Sequence, residues 1–392
     1  MQVIEICCHM GYKTSMPKSL LTAQINIPPG FVDLGRGDPQ LALLPLHLLR
    51  QAADRRFSQG DNSFLQYGTE QGDGSLRAAL ADFLGDGNGS SADPDTLFIT
   101  AGISSALDLL CTVFTRWGDT VFVEEPSYFL ALRIFADHGL HVVSISTDGS
   151  GLVIEALEDA LREHRAKFLY VIPTFQNPSG HTLTQERRER LLSLSRQHNF
   201  LLLADEVYQY LNYTVQPPKP FGAYREFENV ISLGSFSKIL APGLRLGWMQ
   251  ADARIIQRLT GCGLLTSGGG MNPFTSAVVC GLIESGDLKK NIANLVRVYS
   301  ARVRAMDESL RRHLPDAEFT TPQGGYFFWV RLPGGDTETL RKEAQPLQVD
   351  FRPGILFSSQ GGLRDYLRLS ISYYEAEDIE LGLRRLEQSL RR

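Results

Sequence analysis

From about residue 95 the chain alternates short β-branched or apolar runs with longer amphipathic stretches. That alternation constrains the fold more than any other feature. Strands buried on both faces read as near-continuous apolar runs, and parallel neighbours need a crossover between them. The runs are "TLFITA", "TVFVEE", "HVVSIS", "FLYVIP", "FLLLAD", "NVISLG" and "RLGWMQ". Between them, "SSALDLLCTVFTRW", "YFLALRIFADHG", "IEALEDALREH" and "TQERRERLLSLSRQHN" carry apolar positions at helical spacing opposite a polar face. This predicts an α/β fold with one large, mostly parallel sheet of seven strands. After about residue 285 the texture changes to a long amphipathic stretch, "DLKKNIANLVRVYSARVRAMDESLRRHL", then short strands in "GGYFFWVRL" and "YLRLSISYY" and a closing helix from about Glu375. A chain of 392 residues exceeds one ordinary core. The expected division is an N-terminal arm over 1–45 that packs with the small domain, a large domain over 46–285, and a smaller α+β domain over 286–392.

Composition narrows the function classes. Lys plus Arg 39 against Asp plus Glu 44 leaves a net charge of -5, and no basic run or stripe suggests nucleic acid as a partner. No apolar stretch approaches a membrane span, and "MQVIEICCHMGYKTSMPK" lacks the pattern of a secretory signal, so the reading is cytoplasmic. The five cysteines, Cys7, Cys8, Cys111, Cys262 and Cys280, are odd in number and scattered, as reduced thiols are. The eight histidines show no ligand spacing, and no metal is expected.

In an open parallel sheet ligands sit at the carboxyl ends of the strands, so the residues just beyond each strand matter most. After "TLFIT" a glycine turn leads to Ile103, Ser104 and Ser105 at the start of a helix, where free N–H groups and the positive dipole end suit a phosphate. Serine there is also an ordinary cap. After "TVFVEE" comes Tyr128, a ring at the same edge or a core tyrosine. After "FLYVIP" comes "TFQNPSG", in which Asn177 offers an amide, although Asn-Pro also simply makes turns. "FLLLAD" ends in Asp205, a carboxylate that asks for a cationic partner, with Tyr208 three residues on. "NVISLG" leads into Ser235, Ser237 and Lys238, and Arg245 lies beyond the Pro242-Gly243 turn.

Pyridoxal phosphate uses every member of this set. A lysine holds its aldehyde as a Schiff base, and a carboxylate keeps its pyridine nitrogen protonated so that the ring withdraws electrons. Lysine suits the task because its pKa falls readily on burial.

From about Gly35 to the C-terminus the sequence resembles the fold-type I pyridoxal-phosphate aminotransferases of class I/II. "SFSKILAPGLRLGW" is similar to the family's Schiff-base lysine signature, "FQNPSG" to its N-P-x-G element, "ADEVYQYL" to its D-x-x-Y element and "LRLSISY" to its C-terminal arginine strand. "GDPQLALLP", "EEPSYF" and "QGGYFFWVRLP" carry a likeness to the 2-aminoadipate and kynurenine aminotransferase branch. The resemblance implies an aminotransferase that moves an amino group from an L-amino acid to a 2-oxo acid, with 2-oxoglutarate the expected acceptor.

It also implies roles. Lys238 would bind the cofactor aldehyde and later move a proton, and Asp205 would pair with the pyridinium nitrogen. Asn177 and Tyr208 would hydrogen-bond the phenolic oxygen, and Tyr128 would stack on the ring. Ser235, Ser237, Arg245, Ser104 and the N–H of Ile103 would hold the phosphate, joined by Tyr67 from a second subunit of a homodimer. Arg368 would clamp the substrate's α-carboxylate, helped by the backbone at Gly37 and by Asn177. Ile103-Ser104-Ser105 departs from the usual small polar residue and glutamines, and Thr266 to Pro273 is unusually rich in glycine. Arg36 and Arg352 stand where smaller or neutral residues are expected, either as surface groups or, with Arg36 the leading candidate, facing a distal group on the substrate. A lyase, decarboxylase or oxidase would keep Lys238, Asp205 and Arg368. A ligand-sensing transcription factor would need a DNA-binding domain, and only some forty residues precede the matching region.

Overall fold

The seven expected strands all form, and they share one sheet. The computed structural model describes residues 27–85, 92–224 and 228–391. The first 26 residues of the expected arm, Cys7 and Cys8 among them, lie outside the described residues. Residues 27–31 close a turn in which Phe31 N–H donates to Pro28 O at 3.0 Å. Val32–Arg392 is a separate compact unit that opens with β1 (Val32–Asp33). The large sheet contains β2 (Leu97–Thr100), β3 (Thr120–Glu125), β4 (His141–Asp148), β5 (Gly151–Leu152), β6 (Ala166–Val171), β7 (Leu201–Asp205), β8 (Val230–Ser235) and β9 (Gly247–Ala251), in the order β2-β9-β8-β7-β6-β3-β4-β5. Among the described residues it therefore has eight strands rather than seven. The extra one, β5, is a two-residue return against the end of β4, too short to leave a periodic signal.

β3, β4, β6, β7 and β8 run parallel, and β9 lies antiparallel between β8 and β2. β2 and β8 are buried along their whole length, as expected of strands covered on both faces. The helices Ile154–Glu163 and Gln185–His198 join Leu157, Leu191, Leu192 and Leu194 to Phe122, Leu169, Val171 and Leu202 of the sheet in one buried cluster. Each such side chain contributes roughly 1.5–3 kcal/mol on leaving water. Gln185–His198 starts where the Thr184 side chain accepts from Arg187 N–H and stops where Asn199 turns left-handed at φ 54°.

Two smaller sheets complete the unit. β10 (Phe327–Arg331), β13 (Tyr366–Ser370) and β12 (Arg352–Pro353) form an antiparallel sheet with β13 in the middle, and β1 pairs in parallel with β11 (Val349–Asp350). The parallel register sets Asp33 beside Asp350, and arginines offset that like-charge contact. Arg352 donates to both carboxylate oxygens of Asp33 at 3.1 and 3.0 Å, and Arg341 to both of Asp350 at 2.6 and 2.8 Å. The long helix Asp287–His313 contributes the buried Arg302, whose guanidinium donates to Ser372 O at 2.9 Å and to Glu375 at 2.6 Å. No described helix is long and apolar enough to cross a membrane.

Candidate active site

Sheet register gathers the first group of residues. Gly247 opens β9 opposite both Thr100 of β2 and Ser235 of β8, so the segments leaving β2 and β8 and the segment entering β9 meet at one edge. Gly102 caps the helix Ile103–Phe114 at φ 88°. A Cβ there would come within 2.9 Å of Arg245 Nη2, so only glycine allows the guanidinium this close to the helix start. Arg245 itself is left-handed at φ 46° and donates to Ala101 O at 3.3 Å and Pro242 O at 3.2 Å. Ser235 Oγ donates to Ser237 Oγ at 3.0 Å and accepts from Ser237 N–H at 3.1 Å. A guanidinium, two hydroxyls and a helix N-terminus make an anion site.

Asp205, 3% exposed, ends β7. Burial pushes its carboxyl up to about 6, against the opposing effect of hydrogen bonds from Tyr170 and Val207. Its protein partners are neutral: Tyr170 OH donates to Oδ2 at 2.7 Å, and Val207 N–H reaches Oδ1 at 3.3 Å. The carboxylate therefore retains capacity for a charged donor.

Lys238 Nζ donates to Gly37 O at 2.7 Å and lies 5.5 Å from the centre of the Tyr326 ring. Burial pulls the ammonium down to about 8; Asp38 and Asp205 oppose this, and Arg368 and Arg245 add to it. Tyr208 is buried beside the same ring, 5.5 Å from Tyr326 between centroids, and burial holds its hydroxyl well above the usual range.

Arg368 sits on β13, buried, with Trp329 and Arg352 as its cross-strand neighbours. Its Nη1 donates to Asn177 Oδ1 at 2.8 Å and its Nη2 to Gly35 O at 2.7 Å, while Nε is buried without a partner. The guanidinium carbon lies 4.0 Å from the ring centre of Phe327, 4.9 Å from that of Phe357 and 5.9 Å from that of Phe129. Burial and the like charge of Arg352 pull it down to about 10, so it stays protonated at neutral pH.

Residues 29–386 match the family of class I and II aminotransferases. The chain belongs to that family. It is 33% identical to an aromatic-amino-acid aminotransferase of Thermococcus litoralis over 97% of this chain and 93% of the relative. It is also 33% identical to a 2-aminoadipate transaminase of Thermus thermophilus over 93% and 91%. A crystal structure of kynurenine aminotransferase from Pyrococcus horikoshii superposes with a TM-score of 0.87 at 34% identity, covering 92% of this chain and 91% of that one. The protein is a pyridoxal-phosphate-dependent aminotransferase.

The residues present fit that cofactor. The anion site suits its phosphate, Asp205 has room for a protonated ring nitrogen, and Lys238 is a lysine whose proton burial has loosened. Tyr128 belongs to the same cluster: burial pushes its hydroxyl up to about 12, and the charges of Arg368, Asp205 and Arg245 all act on it. Ser104 lies in the first turn of the helix and is exposed, whereas Ser105 Oγ approaches Met271 Sδ at 3.7 Å.

Other sequence candidates are held elsewhere. Arg36 pairs with Asp38 at 2.9 Å and lies 5.7 Å from the centre of the Tyr373 ring. Arg352 is committed to Asp33, so neither arginine of the aminotransferase presents a fully uncommitted guanidinium. Tyr67 is 83% exposed, and its segment joins the glycine-rich stretch through a bridge between Gly68 and Gly270. Sequence reasoning missed Tyr170, Gly35 O and the rings of Phe129 and Phe357. Tyr170 lies inside an apolar strand where any tyrosine reads as core, and the others meet the site only through tertiary packing.

Proposed function

We propose that this aminotransferase takes the amino group of an L-amino acid and passes it to 2-oxoglutarate, using the cluster around Lys238. When bound, pyridoxal phosphate supplies an electron-withdrawing ring conjugated to the substrate nitrogen. Lys238 would hold the cofactor's aldehyde carbon and, when freed by the substrate amine, would accept the Cα proton. A lysine pulled down to about 8 is a better base near neutral pH than a solvated one. Asp205, held by Tyr170, keeps the ring nitrogen protonated. Arg245, Ser235, Ser237, Ser104 and Ile103 N–H would hold the phosphate, Tyr128 would cover the ring, and Asn177 and Tyr208 would hold the phenolic oxygen.

Arg368, with Asn177 and Gly37, binds the α-carboxylate. The observation that carries the reading is its Nε, buried without a partner on a residue ringed by Phe327, Phe357 and Phe129. An acceptor-only group such as a carboxylate completes that donor. Arg36 holds Asp38 through Nη2 while its Nε is buried without a partner; in this reading the aromatic walls meet the substrate side chain.

We further infer a homodimer in which Tyr67 reaches the partner's phosphate site; the exposure of Tyr67 and of the apolar Leu46, Leu65 and Phe274 supports this. The free cysteines Cys111, Cys262 and Cys280 are consistent with a reducing, cytoplasmic setting. We keep the division near residue 285 as our reading, since the helix Asp287–His313 leads from the large sheet to the small one.

The test is an absorbance titration of the cofactor-loaded protein with a panel of L-amino acids, then with 2-oxoglutarate. An amino acid should convert the band of the cofactor's aldehyde form to that of its amine form, and the oxo acid should restore it. Product formed without an acceptor would move the reading to a lyase or oxidase. For the dimer, mixing Lys238→Ala with Tyr67→Phe subunits should give an activity that neither variant shows alone at low cofactor concentration.

A further inference from the structure

The turn that carries Asn177 rests on a buried group of side chains that the reaction itself does not use. Glu124, at 0% exposure near the end of β3, accepts from Ile172 N–H at 2.8 Å and from Gln176 Nε2 at 3.4 Å, both through Oε2. Its other oxygen, Oε1, faces His181 Nε2 at 3.4 Å. On the far side of the ring, His181 Nδ1 is 2.5 Å from Ser179 Oγ. Gln176 closes the circuit: its Nε2 donates to Pro126 O at 2.7 Å, and its Oε1 accepts from Ser179 N–H at 2.8 Å and Ser179 Oγ at 2.7 Å.

Counting protons decides the state of this network. The Gln176 amide is oriented by backbone groups on both sides, a carbonyl at its nitrogen and an N–H at its oxygen, so the Ser179 hydroxyl must donate to Gln176 Oε1. Its oxygen then accepts from His181, which fixes a proton on Nδ1. Nε2 faces a carboxylate oxygen, and that contact is attractive only if a second proton lies between the two. The pair thus holds one proton more than a neutral imidazole and a free carboxylate would, as imidazolium with carboxylate or as imidazole with carboxylic acid. Leaving it out would set a lone pair against a carboxylate oxygen in a dry site.

We propose that His181 is a positioning residue of this aminotransferase: with Glu124 it retains one shared proton, and the hydrogen bonds which that proton completes fix the 176–181 turn so that Asn177 presents its Oδ1 to Arg368. The turn is already a closed ring, with Gln176 N–H donating to His181 O at 2.9 Å and Gly180 N–H to Gln176 O at 2.7 Å. His181 sits at its end, 5% exposed in its side chain, and couples it to β3. Through Pro126 the same lock reaches the turn carrying Tyr128. This role for His181 rests on Arg368 being the α-carboxylate site.

Three variants test it. His181→Leu removes both donors and should raise the amino-acid KM roughly tenfold with a smaller fall in kcat, because Asn177 touches the α-carboxylate anchor directly and the proton-transfer step only through the cofactor. The Kd of a 2-methyl amino acid, which binds but has no Cα proton to lose, should rise in parallel. Glu124→Gln replaces the shared proton with a covalent amide N–H and preserves every hydrogen bond, so its KM and Kd should stay within about twofold of the parent. The double variant His181→Leu with Glu124→Gln removes the uncompensated buried charge and should recover part of the lost Tm while KM stays high. A parental KM and Kd in His181→Leu would overturn the proposal, and so would a Glu124→Gln variant as impaired as His181→Leu. If the parent protein itself shows no amino-acid-driven band conversion, the reading of the site fails instead, independently of His181.

Discussion

Asp205 and Glu206 are neighbours at the end of β7, both buried carboxylates, and their surroundings differ. Glu206 accepts from Phe221 N–H at 2.8 Å and from Ser232 Oγ at 2.5 Å, with Arg188 Nη1 at 3.9 Å. Arg188 in turn spends four of its five N–H groups on Leu183 O, Lys219 O, Pro173 O and Thr174 Oγ1. Asp205 has one hydroxyl and one long backbone contact, and around it stand Lys238 with a loosened proton and Arg368 with an idle Nε. Behind the strand every charge is spent on the fold. On the cleft side each charged group keeps an unused valence, and that surplus is what a cofactor and a substrate consume.

The contrast can be broken from either side. Lys238→Ala should lower kcat/KM roughly 10,000-fold, since both the anchor and the proton carrier go, while Tm holds or rises; stopped-flow band conversion and a thermal melt check both halves. Arg188→Met should do the reverse. Stranding Glu206 should cost about 3–5 kcal/mol in urea unfolding with the KM of the folded fraction unchanged. Asp205→Asn should reduce kcat/KM by roughly 100- to 1,000-fold, the scale of a lost preorganised charge, without a fall in Tm, measured as for Lys238→Ala.

The smallest effect is a pH slope. In the cofactor-free chain Asp205 titrates at about 6 against 3.8 for an unburied carboxyl. Between those values the folded state holds a proton that the unfolded state has released. Its contribution to stability is therefore largest below the lower value, declines as pH rises to the upper one and is flat beyond. Urea midpoints at three pH values across that window should fall more steeply with rising pH in the parent than in Asp205→Asn.

The large sheet was legible because its strands are buried on both faces and read as unbroken apolar runs. Residues at their carboxyl ends could then be collected at one edge without knowing their contacts, which is why Lys238, Asp205, Asn177 and Arg245 stood out. Two-residue strands such as β5 and β12 leave no period to detect. Asp205 was expected to meet the cofactor's protonated nitrogen; what the sequence hid is its protein partner Tyr170, a hydroxyl within an apolar run. Arg352 looked available because its partner is set by tertiary contact, Asp33 from the other end of the chain, whereas Arg36 pairs with Asp38 only two residues on. The His181 lock was equally silent, since its glutamate belongs to a strand well upstream.

β2 has a single neighbour in the large sheet, β9, in the register Thr100 to Gly247. The helix Ile103–Phe114 starts directly after β2, so the strand beneath the anion site gains its sheet partner only when a much later stretch of chain has been made. On a ribosome this edge strand must wait, unpaired, for most of the large sheet to emerge. A nascent chain truncated before Gly247 would carry every side chain of the phosphate cradle and lack the strand that sets β2 beside β8. The cofactor pocket is thus a late product of synthesis, and the antiparallel strand acts as its clasp.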